Sequence, residues 1–280
     1  MYLESNADLS ICILTLNEEK NIRRCLEGLK SCTNDIHVID SGSTDATLEI
    51  LEEYQVKVYS NIQSGVYSAA VQRNWALDNI ESESKWVLFI DADEIINEDS
   101  YTRISKDIEE QSSFDVISVP LVYYFHEKKI KSMGYPNWHD RVVKRTARFS
   151  SSVGEFVTSE RRHYILDAPI QHNFNSLGMR RFMEKQTRYA EFIGKSTYSY
   201  LCGENVDYFN KSDGNAKLKK KVAKLGLLRP FLRFIYLYIY KRGFLEGKEG
   251  FIVAIYMAIF EFLVVVALKE ERREKESKVL

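Results

Sequence analysis

Asp91, Asp93 and Glu94 follow directly on the apolar run Trp86–Ile90, in the stretch "KWVLFIDADEII". Like charges a few ångströms apart repel, so carboxylates clustered at a strand end need a compensating cation. An Asp-x-Asp pair on a loop leaving a strand offers hard oxygen ligands. Mg²⁺ or Mn²⁺ held by one or two carboxylates completes its shell with substrate phosphate oxygens. The plainer alternative is a solvated acidic turn before the next helix, with Glu98 and Asp99 in its first turn and Glu94 as a cap.

Asp40 raises a related question in "VIDSGSTD", where a carboxylate stands beside a glycine turn and a helix start. Such an Asp can accept from a base N–H or a ribose hydroxyl, while free N–H groups at a helix start favour phosphate. Capping by Ser43, Thr44 or Asp45 explains the same residues equally well. A rival chemistry for the first site is that of haloacid-dehalogenase-type phosphohydrolases, which use the first Asp of D-x-D, here Asp91, as nucleophile. Their motif continues to Thr or Ser, whereas Glu94-Ile95 follows here.

The elements that would position these groups alternate. "LSICILTL", "DIHVID", "VKVYS" and "WVLFID" read as strands, and helical patterns follow the first three, with Asn17 a possible N-cap of the first. Strands alternating with helices argue for parallel βαβ units, an α/β fold whose ligands bind beyond the carboxyl ends of the strands. Thr15-Leu16-Asn17-Glu18, Asp40-Ser41-Gly42-Ser43 and Asp91-Ala92-Asp93 all fall there. After Asn97 come a helix, a strand whose Pro120 suggests an edge or bulge, aromatic- and arginine-rich strand-and-turn material, and a helix with Ser176 as a plausible N-cap.

The chain of 280 residues is 45% hydrophobic and 28% charged, which suits a folded protein of one large or two smaller domains. A net charge of −1 gives no reason to expect nucleic acid as a partner. Cys12, Cys25, Cys32 and Cys202 show no metal-site spacing, so a reducing compartment is expected. The first residues lack a basic stretch followed by an apolar core, so no signal peptide and a cytosolic placement are expected.

"ICILTLNEEKNIRRCLEGL", "IHVIDSGSTDATLEIL", "AAVQRNWAL" and "WVLFIDADEII" occur in that order. Together they resemble the TxNE, DxxSxD, RNxA and DxD blocks of glycosyltransferase family 2. The later "MGYPNWHDRVVKR", "VGEFV", "IQHNFNSLGMRRFMEK" and "RPFLRFIYLYIYKRGFLEGKEGF" resemble the branch that adds sugars to lipopolysaccharide core and related surface glycans. The resemblance implies a GT-A fold, Rossmann-like and with a mixed sheet, over residues 1–212. Its nucleotide-sugar half would cover about 1–100 and its acceptor half 101–212. It also implies inverting transfer from a nucleotide diphosphate sugar, with a UDP-sugar as the expected donor and Mg²⁺ or Mn²⁺ as cofactor.

By the same resemblance, Thr15, Asn17 and Glu18 would line the nucleotide pocket and Asp40 would bind base or ribose. Arg73 and Asn74 would face the pyrophosphate, Asp91 would contact ribose or sugar, and Asp93 would hold the metal. His172 matches a histidine position of the branch and could ligate metal or phosphate. The acceptor hydroxyl needs a carboxylate to take its proton. Glu155 is the candidate base, although Gly154 stands where the branch has histidine, and Asp140 is the second candidate. Arg141 could contact donor phosphate or acceptor, or form an ordinary salt bridge. Trp138 and Tyr135 could stack on a sugar face or pack in the core.

Residues 213–280 are basic and then apolar. "FIVAIYMAIFEFLVVVALK" nears the length of a membrane span, but Glu261 interrupts it. The preceding "LLRPFLRFIYLYIYKRGFL" interleaves aromatics with arginine and lysine, which suits helices lying in an anionic interface. A monotopic helical anchor at the cytoplasmic side of the plasma membrane is therefore expected, serving a lipid-linked or lipopolysaccharide-type glycan acceptor. A soluble helical hairpin or a homo-oligomer contact is the alternative. A catalytically silent nucleotide-sugar-binding scaffold is the third functional reading.

Overall fold

The computed structural model describes residues 8–64, 67–110, 113–150, 157, 159, 161–204 and 221–277. The chain divides into two compact units, the first built from Met1–Tyr124, Tyr135–Ser151 and Glu155–Leu177, the second around Phe125–Gly134 and Gly178–Leu280.

In the first unit the expected βαβ alternation is present: β1 (Leu9–Thr15), α1 (Ile22–Leu29), β2 (Ile36–Asp40), α2 (Thr47–Glu53), β3 (Lys57–Ser60), α3 (Ala69–Asn79) and β4 (Trp86–Asp91). These strands run parallel in the order β3-β2-β1-β4. Every residue of β1 is buried, as a strand covered on both faces requires. Leu9, Ile11 and Ile13 pack with Ile22, Leu26 and Leu29 of α1 on one face. Cys12 and Leu14 pack with Ala76 and Leu77 of α3 on the other.

The sheet continues as β4-β8-β6-β10-β5, with β5 (Glu94–Ile95), β6 (Val116–Phe125), β8 (Trp138–Lys144) and β10 (Ile170–Asn173). Between them lie α4 (Glu98–Glu110), β7 (Lys128–Lys129) and β9 (Arg162–Tyr164). β8 runs antiparallel to both β4 and β6, so the sheet is mixed. Pro120 sits inside β6, where the neighbour on one side changes from β9 (last partner of Ser118) to β10 (first partner of Leu121). Leu121 donates to Asn137 on the β8 side, so the N–H that Pro120 lacks would point at that gap and goes unmissed.

The pairing of β6 with β8 slips once. Ile117 faces Val142 and Ser118 faces Asp140, which leaves Arg141 as the extra residue of a bulge. A bulge bends its strand and re-aims a side chain.

Two expected helix caps are different in the structure. The first helix begins at Ile22, not after Asn17, whose backbone is left-handed at φ 57. Asn17 reaches across to the β2–α2 loop instead: its Oδ1 accepts from Thr44 N at 2.7 Å. Ser176 likewise caps nothing; α5 (Met179–Leu201) begins after Gly178, and Ser176 Oγ accepts from Asn21 Nδ2 at 2.8 Å. Both polar side chains found partners across loops rather than in the next helical turn.

The second unit is helical: α5, then α6 (Leu228–Ile235), a π-helical turn (Tyr236–Tyr240), a 3₁₀ turn (Gly243–Glu246) and α7 (Gly247–Ser277). Pro230 lies in the first turn of α6, where its missing N–H costs no helical bond. α5 packs along α7: Phe182 stacks on Tyr256 at 4.9 Å, and a Cβ on Gly194 would lie 2.7 Å from that of Ala267. Glu261, the carboxylate inside the apolar run, is paired with Arg229 of α6 at 2.5 Å. Glu246 is buried and accepts from Lys131 N at 2.5 Å, Ser132 N at 2.8 Å and Ser132 Oγ at 2.6 Å.

Candidate active site

The carboxyl ends of β2, β1 and β4 bring the predicted residues to one edge. Thr15 is paired with Asp40, and Leu14 with Asp91, so the two acidic strand ends flank the end of β1 at almost one level. The β1–α1 and β2–α2 loops are stitched together beside them. Asn17 N donates to Ser43 Oγ at 2.8 Å, and Glu18 N to Thr47 Oγ1 at 2.8 Å. The side chain of Glu18 accepts from Asn21 Nδ2 at 2.6 Å.

Asp40 is buried and its carboxylate receives four hydrogen bonds. Thr15 Oγ1 (3.0 Å) and Ser43 Oγ (2.5 Å) donate to Oδ1, and the backbone N–H groups of Gly42 (2.9 Å) and Ser43 (2.8 Å) donate to Oδ2. Gly42 has φ +95, which a side chain would strain. These donors make the carboxylate part of the turn; Thr15, also buried, is one of its partners.

Arg73 and Asn74 are neighbours on α3. The Arg73 side chain is fully buried, donates from Nη2 to Asp91 Oδ1 at 2.9 Å, and lies over the rings of Phe89 (5.8 Å) and Phe149 (5.4 Å). Asn74 donates to Phe149 O at 2.9 Å and accepts from Phe149 N at 2.8 Å. Both tie α3 to the floor below the D-x-D loop.

The other face of Asp91 meets the bulge. Arg141 Nη2 lies 3.2 Å from Asp91 Oδ2 and 2.5 Å from Glu94 Oε1, and Glu94 Oε2 accepts from Asp91 N at 3.0 Å. Glu94 is completely buried, so it is no helix cap; Asn97 takes that role, its Oδ1 accepting from Ser100 N at 3.0 Å. Arg141 forms the buried salt bridge. The Asp91 carboxylate is thereby held between two guanidiniums. The cation that the acidic edge needs is thus supplied largely from within, by Arg73 and Arg141.

Asp93 is the carboxylate of the cluster without a lysine or arginine partner among the described residues. The short β5 pairs antiparallel with β10, which sets His172 opposite Glu94, and Asn173 N donates to Asp93 O at 3.0 Å. His172 Nδ1 consequently stands 3.5 Å from Asp93 Oδ1, with the Tyr123 ring edge-on at 5.5 Å. One carboxylate and one imidazole nitrogen side by side fit a divalent ion that draws the rest of its shell from substrate and water. They do not fit a closed protein cage, and among the described residues no group of three or more His, Cys, Asp or Glu forms one. The field here is negative: burial first, then Glu94, Asp93 and Asp91, push the Cys25 thiol well above its ordinary pKa.

Asp140 lies apart from these contacts. Its carboxylate takes Ser118 Oγ at 2.6 Å, Val157 N at 2.9 Å and Arg162 Nη2 at 2.8 Å. A buried carboxylate so occupied ties β6, β8 and β9 together. Glu155 lies outside the described residues. Trp138 packs edge-on against Tyr164 at 5.0 Å, while Tyr135 is half exposed and donates from its hydroxyl to Leu166 O at 2.9 Å. His139 Nε2 lies 3.0 Å from Asn137 Nδ2, which also donates to Tyr123 OH.

The glycosyltransferase SunS of Bacillus subtilis is 24% identical over 237 residues, covering 77% of this chain and 56% of SunS, so the chain spans little over half of that relative. An uncharacterised glycosyltransferase of Rickettsia conorii is 22% identical over 267 residues, 94% of this chain and 90% of its own. Among solved structures, a mannosyltransferase of Pyrobaculum calidifontis, determined with GDP-mannose and Mn²⁺, superposes with a TM-score of 0.54 at 14% identity, covering 95% of this chain and 86% of its own. The pattern described as glycosyl transferase family 2 matches residues 10–185, more than half of the 280. The chain belongs to glycosyl transferase family 2 and has its GT-A fold.

Proposed function

We propose that this protein is a metal-dependent, inverting glycosyltransferase. It moves a sugar from a nucleoside diphosphate donor, a UDP-sugar by the resemblance, to a hydroxyl of a lipid-linked or lipopolysaccharide-type glycan at the cytoplasmic face of the membrane. The observation that carries the reading is the pairing of Asp93 with His172 on the carboxyl edge of a parallel sheet, in a chain of this family. Mg²⁺ or Mn²⁺ bound there would neutralise charge on the departing nucleoside diphosphate.

The protein's own groups act around that point. Asp93 and His172 would hold the ion, while Arg73, Arg141 and Glu94 fix Asp91 and the loop backbone. The loops of Asn17, Glu18 and Asp40 wall the nucleotide side. The acceptor oxygen attacks the anomeric carbon opposite the leaving diphosphate, the carbon–oxygen bond to the phosphate breaks, and the hydroxyl proton passes to a carboxylate, for which Glu155 is the candidate.

Thermal-shift titration with UDP- and GDP-sugars, with and without Mn²⁺, tests the proposal. A Mn²⁺-dependent shift is expected, lost in Asp93→Ala and weakened at least about tenfold in affinity in His172→Ala. The same nucleotide affinity in Asp93→Ala would sink the metal assignment. Retention of anomeric configuration in the product would contradict single displacement.

A further inference from the structure

The segment from Lys221 to Leu245 carries six lysines and arginines and not one acidic residue. In a chain with a net charge of −1 this is a local excess. The same segment leaves large apolar side chains in water: Phe231 is 69% exposed, Tyr240 74% and Leu245 69%, with Leu228, Leu232, Ile235, Ile239 and Phe244 exposed beside them. Positions 228, 231, 232 and 235 recur at helical spacing on α6, so they share a face. Lys221, Lys224 and Lys241 stand exposed along the same stretch. An apolar face flanked by ammonium groups and free of carboxylates matches one environment, the headgroup boundary of an anionic bilayer.

The more apolar candidate is α7, and the packing of its own unit argues against its crossing a membrane. Its window of highest hydropathy is long and apolar enough to span. Yet α5 lies along α7, from the Phe182–Tyr256 stack to the close approach of Gly194 and Ala267. α5 exposes Arg180, Arg181, Glu184, Lys185, Arg188, Glu191 and Lys195. A spanning α7 would drag those seven charges into hydrocarbon or have to shed α5 altogether, and each charge near the bilayer centre is costly. Glu261 is also already matched within the unit, by Arg229.

We infer that Leu225–Leu245, comprising α6, the π-helical turn and the first three residues of the 3₁₀ turn, is an in-plane anchor for an anionic phospholipid surface, and that α7 supports it without spanning. This extends the lipid-linked acceptor reading, and it is tested without any substrate so that the two can fail separately.

The experiment is flotation of the full chain with vesicles of phosphatidylcholine alone, or of phosphatidylcholine with about one-third phosphatidylglycerol. Binding to the anionic vesicles, weak binding to the neutral ones, and release by carbonate are expected. Phe231→Ser with Leu245→Ser should weaken anionic-vesicle binding at least about tenfold. Lys224→Glu with Lys241→Glu should do so by a similar factor and remove the salt dependence. Both variants should keep the wild-type thermal midpoint and its shift with nucleotide sugar. Equal binding to both vesicle types, resistance to carbonate, or binding indifferent to both variants would overturn the inference. So would a dimer that Phe231→Ser with Leu245→Ser dissociates in a protein that floats with neither vesicle, since the face would then belong to a second copy.

Discussion

Glu94 and Arg141 form an ion pair 2.5 Å long in which neither side chain exposes more than 2% of its surface. Removing two charges from water costs several kcal/mol for each, and the pair recovers this only with further hydrogen bonds. Those bonds are present, from the Asp91 N–H to Glu94 and from Arg141 to the Asp91 carboxylate. Removing one partner leaves the other charge stranded, so Arg141→Met should lose about 3–5 kcal/mol in urea unfolding. Glu94→Gln should lose less, because the amide still accepts from the Asp91 N–H. The double variant should lose less than the sum of the two. An Arg141→Met protein with the wild-type urea midpoint would refute the pair's structural role.

Acid stability should depend on Asp35. Burial raises its pKa, but hydrogen bonds from His37 and Ser82, the His37 charge, and Ser84 outweigh this and bring it from 3.8 down to about 2. The contacts are short: His37 Nε2 at 2.8 Å and Ser82 Oγ at 2.5 Å. A depressed carboxylate contributes stability above its unfolded pKa, and that contribution is lost as pH falls through the folded value. Asp35→Asn should therefore be less stable than wild type at pH 7, by ~1–2 kcal/mol. Its stability should also fall less steeply between pH 4 and pH 2. Thermal melts across that range decide it; parallel acid limbs would remove Asp35 from the account.

The helix contact in the second unit should tolerate no side chain at two glycines. A Cβ on Gly194 would stand 2.8 Å from Leu268 N, and one on Gly250 would stand 2.1 Å from Gly243 O. Backbone atoms cannot swing aside as a flexible side chain can, so Gly194→Ala and Gly250→Ala should each cost about 1–3 kcal/mol. Met179→Ala, at a 64% exposed position of α5, should cost almost nothing. Circular-dichroism melts of the three variants provide the comparison. Equal melts for all three would mean that neither α5 nor the 3₁₀ turn packs this closely on α7.

The parallel half of the sheet was legible because its information is local. Runs such as Leu9–Thr15 and Trp86–Asp91 alternate with amphipathic helices, and that pattern alone places their ends on one ligand edge. The roles of single charges were not local. Glu94 reads as a cap until Arg141, 47 residues further on, is brought to it by the bulge in β8. The partners of Arg73 are equally remote, since Asp91 is 18 residues away and Phe149, over which it lies, is in another loop. A hint was available: an arginine within the apolar strand "HDRVVK" must be paired if it is buried. His172 was reachable by resemblance, but its neighbour was not, since that depends on the pairing of β5 with β10.

The registers of Thr15 with Asp40 and of Leu14 with Asp91 have a metric consequence. Neighbouring strands lie about 4.8 Å apart, so the two acidic strand ends, one strand removed from each other, are set roughly 10 Å apart by backbone hydrogen bonds alone. The edge works as a ruler whose graduations do not move when side chains are exchanged. Substitutions in the loops can then change the lining of this edge while the interval between the β2–α2 loop and the Asp93 corner stays constant.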